Sequence, residues 1–182
     1  MPTSVRDWDS GVNLERDLVT MKTLADEYGT EAGIVDAWKM NSSYRQKWVL
    51  RELHTLLLSK KQNPVIAIWG LAYKPNTQSI KNSPSLALIK DLASFTKIVF
   101  DPQAKLDPKD YSQLQQATAA LDACHQADGL IVMTPWDEFA KIEPSKIKQA
   151  MIGNLVIDPL GILNRQECLK AGLSYHKLGV SS

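Results

Sequence analysis

The stretch that decides the fold is Val65–Leu92, VIAIWGLAYKPNTQSIKNSPSLALIKDL. It opens with a short apolar run, Val65–Ile68, which is typical of a buried strand, and Gly70 follows shortly after it. A polar loop comes next, and Ser83-Pro84 then supplies a helix N-cap and a first helical residue. Apolar residues recur after that point at three-residue spacing, which predicts a helix with one buried face.

A loop between a strand and a helix N-terminus is a candidate anion site, because free backbone N–H groups and the positive end of the helix dipole point into it. Lys74 and Lys81 add two full positive charges to this loop, so it suits a phosphate-bearing ligand. The loop has neither the three spaced glycines of a dinucleotide fingerprint nor the Gly-Lys-Ser/Thr ending of a Walker loop. An ordinary strand–loop–helix connection with solvated lysines explains the spacing equally well.

Composition narrows the class of protein. The 182 residues are enough for one full core, or for one domain with an appendage. The 21 basic and 20 acidic residues nearly balance, which argues against a nucleic-acid or membrane-surface partner. Cys124 and Cys168 lack metal-ligand spacing, so we expect two buried thiols and no metal site. No signal peptide or run of transmembrane length is evident, and we expect a soluble cytoplasmic protein.

The N-terminal third is helical in pattern. A first helix starts near Leu14 and ends at Gly29, and a second starts near Thr30 and runs as one long helix to the residues before Pro64. The long helix is apolar on more than one side, so we expect it to pack against both a domain and a partner. We therefore divide the chain into a helical dimerisation region, residues 1–62, and an α/β domain, residues 63–182.

The remainder alternates strand and helix. Further strands are predicted at Lys97–Phe100, Gly129–Thr134, Leu155–Pro159 and Tyr175–Gly179. One or two helices are expected within 107–127, and a short one at 166–171. This alternation predicts a three-layer, Rossmann-like, mostly parallel sheet flanked by helices, preceded by the helical pair. Such folds bind ligands beyond the carboxyl ends of their strands.

Three segments resemble one protein family. Gly70–Thr77 and Ile80–Pro84, GLAYKPNT and IKNSP, are similar to "GLAFKPNT(D)(D)IRESP" of the nucleotide-sugar 6-dehydrogenases, which act on UDP-glucose, GDP-mannose or UDP-N-acetylmannosamine. In that family the segment opens the C-terminal UDP-binding domain. Thr134–Phe139 is similar to the family's "T-E/P-W-x-E-F" turn, although we expect its two aromatic residues to be packing anchors. The resemblance extends over nearly the whole chain.

The resemblance implies roles for four residues. Tyr73 and Lys74 match positions that hold the UDP part of the substrate, and Lys81 replaces an arginine that lies near the cofactor. Asp17 matches an aspartate that assists the water or proton steps, although a solvated residue in a helix's first turn explains it as well. The family's cofactor is NAD, held mostly by an N-terminal domain without counterpart in these residues, and its long helix forms a homodimer core.

Two departures bear on catalysis. Asn13 stands where the family has its nucleophilic cysteine, and an amide cannot form the thiohemiacetal through which the sugar alcohol is oxidised. The family's "DGRN" segment, whose arginine contacts substrate, is Asp158-Pro159-Leu160-Gly161 here, with Arg165 out of register. Whether the chain is part of an active enzyme is therefore open.

Two functions remain. The chain is the nucleotide-sugar-binding portion of an NAD-dependent UDP-sugar 6-dehydrogenase-like protein, whose parent reaction oxidises the sugar C6 alcohol to a uronic acid and which this portion cannot perform alone. Alternatively, it is a non-catalytic, stand-alone module for nucleotide-sugar binding or for dimerisation.

Overall fold

The computed structural model describes residues 11–112 and 114–180, and it divides the chain into two compact units on either side of the Trp48–Val49 bond. The sequence pattern predicts this boundary after residue 62. The difference arises because the last helical residues before the sheet pack into the second unit. Leu53 is fully buried, and the Leu57 side chain lies against Gly129 of the sheet.

The first unit is a pair of helices, α1 (Gly11–Glu27) and α2 (Gly33–Gln46). The predicted stop of the first helix is confirmed, since Gly29 adopts a left-handed φ of 61° just beyond α1. Leu18 and Val35 are buried, and the Lys22 ammonium contacts the Asp36 carboxylate at 3.0 Å across the pair.

The prediction of one uninterrupted long helix is wrong. The helical run after residue 30 consists of α2, then α3 (Trp48–Leu53) and a π-helical turn at His54–Leu58, with Lys47 between the first two. Its apolar residues belong to two different compact units, so continuous periodicity in the sequence does not correspond to one packed helix.

The second unit contains a six-stranded parallel sheet with flanking helices, as the alternating pattern predicts. The strands are β1 (Val65–Trp69), β2 (Thr96–Phe100), β3 (Gln115–Gln116), β4 (Gly129–Val132), β5 (Leu155–Ile157) and β6 (Ser174–His176). Their order is β3-β2-β1-β4-β5-β6, which is the doubly wound arrangement. β1 is central, and four of its five residues are fully buried.

Five helices accompany the sheet: α4 (Pro84–Asp91), α5 (Ala120–Cys124), α6 (Asp137–Ala140), α7 (Pro144–Ala150) and α8 (Arg165–Lys170). Helix α5 packs on β1, β2 and α7, and α7 in turn contacts α8, so these three share one face. Right-handed crossovers place α4, which joins β1 to β2, on the other face. Among the described residues, none of the helices has both the length and the apolar character needed to cross a membrane.

The stretch 107–127 is a second correction, because it contains the short edge strand β3 before a single helix, α5. Its two glutamines offer no apolar alternation from which a strand could be predicted. The Gln116 side chain instead fastens the preceding loop, accepting from the Leu106 N–H at 3.1 Å and donating to the Ala104 carbonyl at 2.9 Å.

A buried lysine, Lys97, binds the backbone carbonyls that follow helix α4. The side chain is 1% exposed, and its ammonium donates to the carbonyls of Leu92 at 2.6 Å and Phe95 at 2.7 Å. Burial lowers the pKa of Lys97. A cation at a helix C-terminus satisfies carbonyls that have no partner within the helix and opposes the helix dipole favourably.

The end of β1 approaches Thr134 so closely that only glycine fits at position 70. Gly70 has φ = 93°, and a Cβ there would lie 2.6 Å from the Thr134 backbone nitrogen. We expect Gly70→Ala to lower the free energy of unfolding by about 3 kcal/mol or more, from left-handed strain plus overpacking. Chemical denaturation measures this change.

The matched control is Gly172→Ala, because Gly172 also has positive φ, 82°, but open space where its Cβ would lie. This variant should lose only about 1–2 kcal/mol, the cost of the left-handed backbone alone. Equal losses in the two variants would contradict the close-approach argument.

Candidate functional site

The loop that follows β1, residues 70–83, lies at the carboxyl edge of the sheet. β1 pairs with β2 on one side and β4 on the other, so this loop lies beside the segments that leave both neighbouring strands. In open α/β sheets this edge, near the point where the strand order reverses, is where ligands bind. The sequence prediction of the loop's place is therefore confirmed.

Hydrogen bonds from both ends hold the loop. The Tyr73 N–H donates to the Ser79 carbonyl at 3.0 Å, which closes the loop on itself. The Thr134 hydroxyl donates to the Ala72 carbonyl at 2.7 Å, and the Ser85 hydroxyl donates to the Gly70 carbonyl at 2.6 Å. These hydrogen bonds close residues 73–79 on themselves and tie the start of the loop to Thr134 and to α4.

Helix α4 begins as the sequence predicts. Ser83 is the N-cap, and its hydroxyl accepts from the Ser85 N–H at 3.2 Å, while Pro84 occupies the first helical position. Asn82, directly before the cap, has a left-handed φ of 58°. Asparagine tolerates this conformation better than most residues, so it suits the turn that leads into the helix.

The structure brings two of the four predicted site residues together. The Lys74 ammonium lies over the Tyr73 ring, 5.3 Å from its centroid, which is within cation–π range. Tyr73 is half-buried and Lys74 is exposed. Lys81 is exposed in the turn before α4.

Asp17, the predicted proton-transfer residue, is exposed on α1, which belongs to the other compact unit. The Asn13 side chain lies outside the described part of the structure, so the residue aligned with the family's nucleophile is known here only from the sequence. The roles given to Asp17, Tyr73, Lys74 and Lys81 remain predictions.

A buried carboxylate, Asp101, lies beneath the loop at the end of β2. It is 6% exposed. Its Oδ2 accepts from the backbone N–H groups of Leu71 at 2.7 Å and Ala72 at 3.0 Å, and from the Trp136 indole N–H at 3.2 Å. Its Oδ1 accepts from the backbone N–H groups of Gln103 at 2.9 Å and Ala104 at 2.7 Å. One side chain thus joins segments that leave three neighbouring strands.

A cleft of about 440 Å³ opens next to these segments. Its lining comes from the loop after β1, the residues after β2 and those after β4: Pro75, Asn76, Pro102, Gln103, Pro135, Trp136, Asp137 and Glu138. These lining residues include two carboxylates and two amides but no lysine or arginine. Lys74 and Lys81 therefore lie on the loop, whereas the charged side chains that line the cleft are acidic.

Burial and the acidic surroundings of the cleft both affect the pKa of Glu138. Partial burial of its carboxyl, although the residue as a whole is exposed, raises its pKa, and repulsion from Asp101 raises it further, while Lys141 opposes the shift. The ionised form of Glu138 is therefore disfavoured in the wall of the cleft, because of its partial burial and the nearby Asp101 carboxylate.

The sheet does not fit NAD as a dinucleotide-binding unit does. In that type of site, a short glycine-rich turn follows the first strand and an acidic residue at the end of the second strand binds ribose hydroxyls. Here fourteen residues, 70–83, separate β1 from α4. The acidic residue at the end of β2 is Asp101, whose oxygens already accept five hydrogen bonds from the protein.

The two cysteines are not nucleophiles. Both are buried and free, as predicted. Burial raises the pKa of Cys124 to about 12 and that of Cys168 to about 11. Both thiols are therefore protonated at neutral pH, and covalent chemistry needs the thiolate.

A second buried carboxylate, Asp158, ends β5 in the same way as Asp101 ends β2, and each is followed by proline. Asp158 accepts from the N–H groups of Gly161 and Leu163, both at 2.8 Å, and from the Tyr175 hydroxyl at 2.9 Å. Burial raises its pKa against the effect of these donors. Arg165, the nearest arginine in the sequence, is the first residue of α8 and is exposed.

Sequence reasoning missed the importance of Asp101 and part of the importance of Trp136. Phe139 is the packing anchor that was predicted, being fully buried 5.0 Å from the Trp69 ring centroid. Trp136 is also buried, but it lines the cleft and donates to Asp101. The available signal was an acidic residue directly after the carboxyl end of a buried strand.

A doubly wound parallel sheet with a basic loop and an acidic cleft at its carboxyl edge defines a Rossmann-like ligand-binding domain. Residues 67–165, more than half of the chain, match the model of the UDP-glucose/GDP-mannose dehydrogenase family, UDP binding domain. The chain belongs to this family.

Curated proteins and solved structures that resemble the chain are dehydrogenases of the same kind. The chain is 27% identical over 169 residues to the UDP-glucose 6-dehydrogenase of Rickettsia conorii, covering 90% of this chain and 39% of the relative. It is 25% identical over 167 residues to that of Rhizobium meliloti, covering 90% and 38%. A UDP-glucose dehydrogenase structure from Pyrobaculum islandicum shares the fold, with a TM-score of 0.71 and 19% identity over 89% of this chain and 36% of that one. The chain thus spans about two fifths of the length of these relatives.

Glu138 gives this site a testable pH dependence. Its pKa in the folded protein is raised above the ordinary 4.5, so its favourable contribution is complete below that pH and is lost as the pH rises through the raised pKa. We expect Glu138→Gln to be more stable than wild type at pH 7, with the gap closing towards pH 4. Thermal unfolding at both pH values measures this.

Asp137→Asn is the matched control, since it removes one negative charge from the neighbouring exposed position of the same helix. A gap of equal size at both pH values for Glu138→Gln, or the same pH-dependent gain in the control, would contradict the electrostatic origin of the effect.

Proposed function

We propose that this chain is the nucleotide-sugar-binding portion of an NAD-dependent UDP-glucose 6-dehydrogenase-like enzyme, whose reaction oxidises the sugar C6 alcohol to a uronic acid. The observation that carries the proposal is the match to the family's UDP binding domain over residues 67–165, which include most of β1, its loop and the residues that line the cleft. This match favours a portion of a dehydrogenase over the alternative of a stand-alone binding or dimerisation module.

The proposed ligand contact is electrostatic. A diphosphate carries concentrated negative charge, and Lys74 and Lys81 lie in the loop that leads to the N-terminus of α4. The positive end of the helix dipole adds to their attraction. The Tyr73 ring supports the Lys74 ammonium from below and limits the orientations that it samples. In this proposal Tyr73 and Lys74 hold the UDP part, and Lys81 lies towards the cofactor.

In this proposal the chain binds and orients the substrate and has no covalent part in the reaction. Its two cysteine thiols are buried and protonated, and the family's nucleophile position is Asn13, so the proposal gives this chain no covalent step. NAD supplies the hydride acceptor in the family. In this proposal its contact with the chain is limited to Lys81, and Asp17 is kept as the candidate for proton transfer.

We further propose a homodimer formed through the helical pair. Eight large apolar side chains of the first unit are between 48% and 78% exposed: Val19, Met21, Leu24, Tyr28, Ile34, Trp38, Met40 and Tyr44. Isolated exposed apolar residues are ordinary, but this many on two helices and their connecting turn indicate a surface that is covered in use. A second copy of the same chain is the occupant we propose.

The proposed location is the cytoplasm. Both cysteines are free of disulfide bonds and are buried in the sheet domain. Free thiols of this kind are typical of reducing compartments.

The ligand proposal is tested by calorimetric titration of the chain with UDP, UDP-glucose and NAD. We expect saturable binding of UDP and UDP-glucose, and none of NAD alone. Lys74→Ala should weaken UDP-glucose binding by about 10- to 100-fold, because it removes a charge-assisted contact to phosphate.

Lys90→Ala is the control, since Lys90 is exposed at the far end of α4 and has the same charge. It should bind UDP-glucose as wild type does. Absence of UDP-glucose binding by the wild-type chain would refute the ligand proposal, and equal weakening in the two variants would remove Lys74 from the site.

The dimer proposal is tested by the molar mass in solution of Trp38→Glu, measured by sedimentation or light scattering. A charge at this half-exposed position should raise the dimer dissociation constant by about tenfold or more, because it would be desolvated in the interface. Ser43→Glu adds the same charge at an exposed position on another side of α2 and should leave the mass unchanged. A monomeric wild-type chain, or equal effects of the two variants, would count against the proposal.

A further inference from the structure

Asp101 occupies an unusual position among the buried charges of the described structure. Two of its five donors, the N–H groups of Leu71 and Ala72, are the first two after Gly70, at the root of the loop that carries Tyr73 and Lys74. They are 30 and 29 residues away in sequence. A group of the second strand thus fixes the start of the loop that leaves the first.

The same carboxylate also holds one wall of the cleft. The Trp136 indole donates to Oδ2 from the segment after β4, 35 residues further along the chain. Trp136 lines the cleft together with Pro75 and Asn76 of the loop. The same oxygen, Oδ2 of Asp101, therefore binds both the start of the loop and the Trp136 wall of the cleft. A displacement of one segment should alter the hydrogen bonds of the other.

The negative charge matters because all five donors are N–H groups. A carboxylate presents two acceptor oxygens and no donor, which suits donors arriving on both sides. An asparagine at this position would present its NH2 group to one set of them. Either the N–H groups of Leu71 and Ala72, or those of Gln103 and Ala104, would then be buried without an acceptor.

We infer that Asp101 is a positioning residue for the nucleotide-sugar site: it holds the loop 70–83 and the Trp136 wall of the cleft in one fixed arrangement. This inference rests on the proposed function. Asp101 itself is covered by protein and touches no ligand in this account. Its contribution to binding is made through Tyr73, Lys74 and the cleft wall, which it keeps in place before the ligand arrives.

Asp158 provides a matched comparison within the same domain. It has the same Asp-Pro context at the end of a parallel strand, and it is fully buried. Its donors come from Gly161, Leu163 and Tyr175, which belong to the other end of the sheet. A variant at Asp158 therefore removes a buried carboxylate without touching the loop after β1.

The test compares Asp101→Asn with Asp158→Asn by amide hydrogen exchange in the ligand-free chain and by titration with UDP-glucose. Asp101→Asn should speed exchange at residues 71–79 by about tenfold or more and weaken UDP-glucose binding by a similar factor. Asp158→Asn should speed exchange at residues 161–163 instead and leave exchange at residues 71–79 as in wild type.

Two results would overturn the inference. One is wild-type exchange at residues 71–79 in Asp101→Asn, and the other is an equal rise of exchange at these residues in Asp158→Asn. If the wild-type chain does not bind UDP-glucose, the proposed function fails, whereas the exchange comparison still decides whether Asp101 holds the loop.

Trp136→Phe covers the case in which Asp101→Asn does not fold. It keeps an aromatic ring in the wall and removes the indole N–H together with part of the ring volume. If the two segments are coupled through Asp101, exchange of the Leu71 and Ala72 amides should rise several-fold. Unchanged exchange at these two amides would contradict the coupling.

Discussion

The contact between the ends of β1 and β4 constrains the rest of the sheet domain. At Gly70 the chain leaves the central strand with a backbone conformation and a clearance that exclude any side chain, because Thr134 occupies the space. Thr134 then donates to the Ala72 carbonyl, and Ser85 donates to that of Gly70. Two strands and a helix are thereby tied at one point. The positions of the residues in the following loop, including Tyr73 and Lys74, depend on these contacts of Gly70 and Ala72.

The loop after β1 and the lining of the cleft carry opposite charges. Lys74 and Lys81 are on the exposed loop, and the carboxylates of Asp137 and Glu138 line the cleft. A ligand with an anionic middle and an uncharged, hydroxyl-bearing end matches such a division, since phosphate is attracted to lysine while hydroxyl groups can donate to carboxylates. Nucleotide sugars are ligands of this kind, so the electrostatics agree with the family to which the chain belongs.

Local patterns sufficed to predict much of the fold. The β-branched run at Val65–Ile68, the Ser83-Pro84 helix start and the left-handed Gly29 each depend on residues adjacent in sequence, and each was predictable for that reason. The two-residue strand at Gln115–Gln116 and the interruption of the long helix at Lys47 depend on tertiary packing, and neither has a periodic signal. Tyr73 and Lys74 were singled out by a motif, whereas the contacts of Asp101 could not be predicted, because its partners outside its own turn lie about thirty residues away on both sides.

Lys97 carries one more consequence. Lysine amines are ordinarily the most accessible nucleophiles on a protein surface, but this one is 1% exposed and is held by the carbonyls that end α4. An amine-reactive reagent will reach it only when the α4 crossover opens. The extent of acylation at Lys97, compared with that at exposed Lys90 on the same crossover, therefore reports how often the α4 crossover opens locally in the native protein.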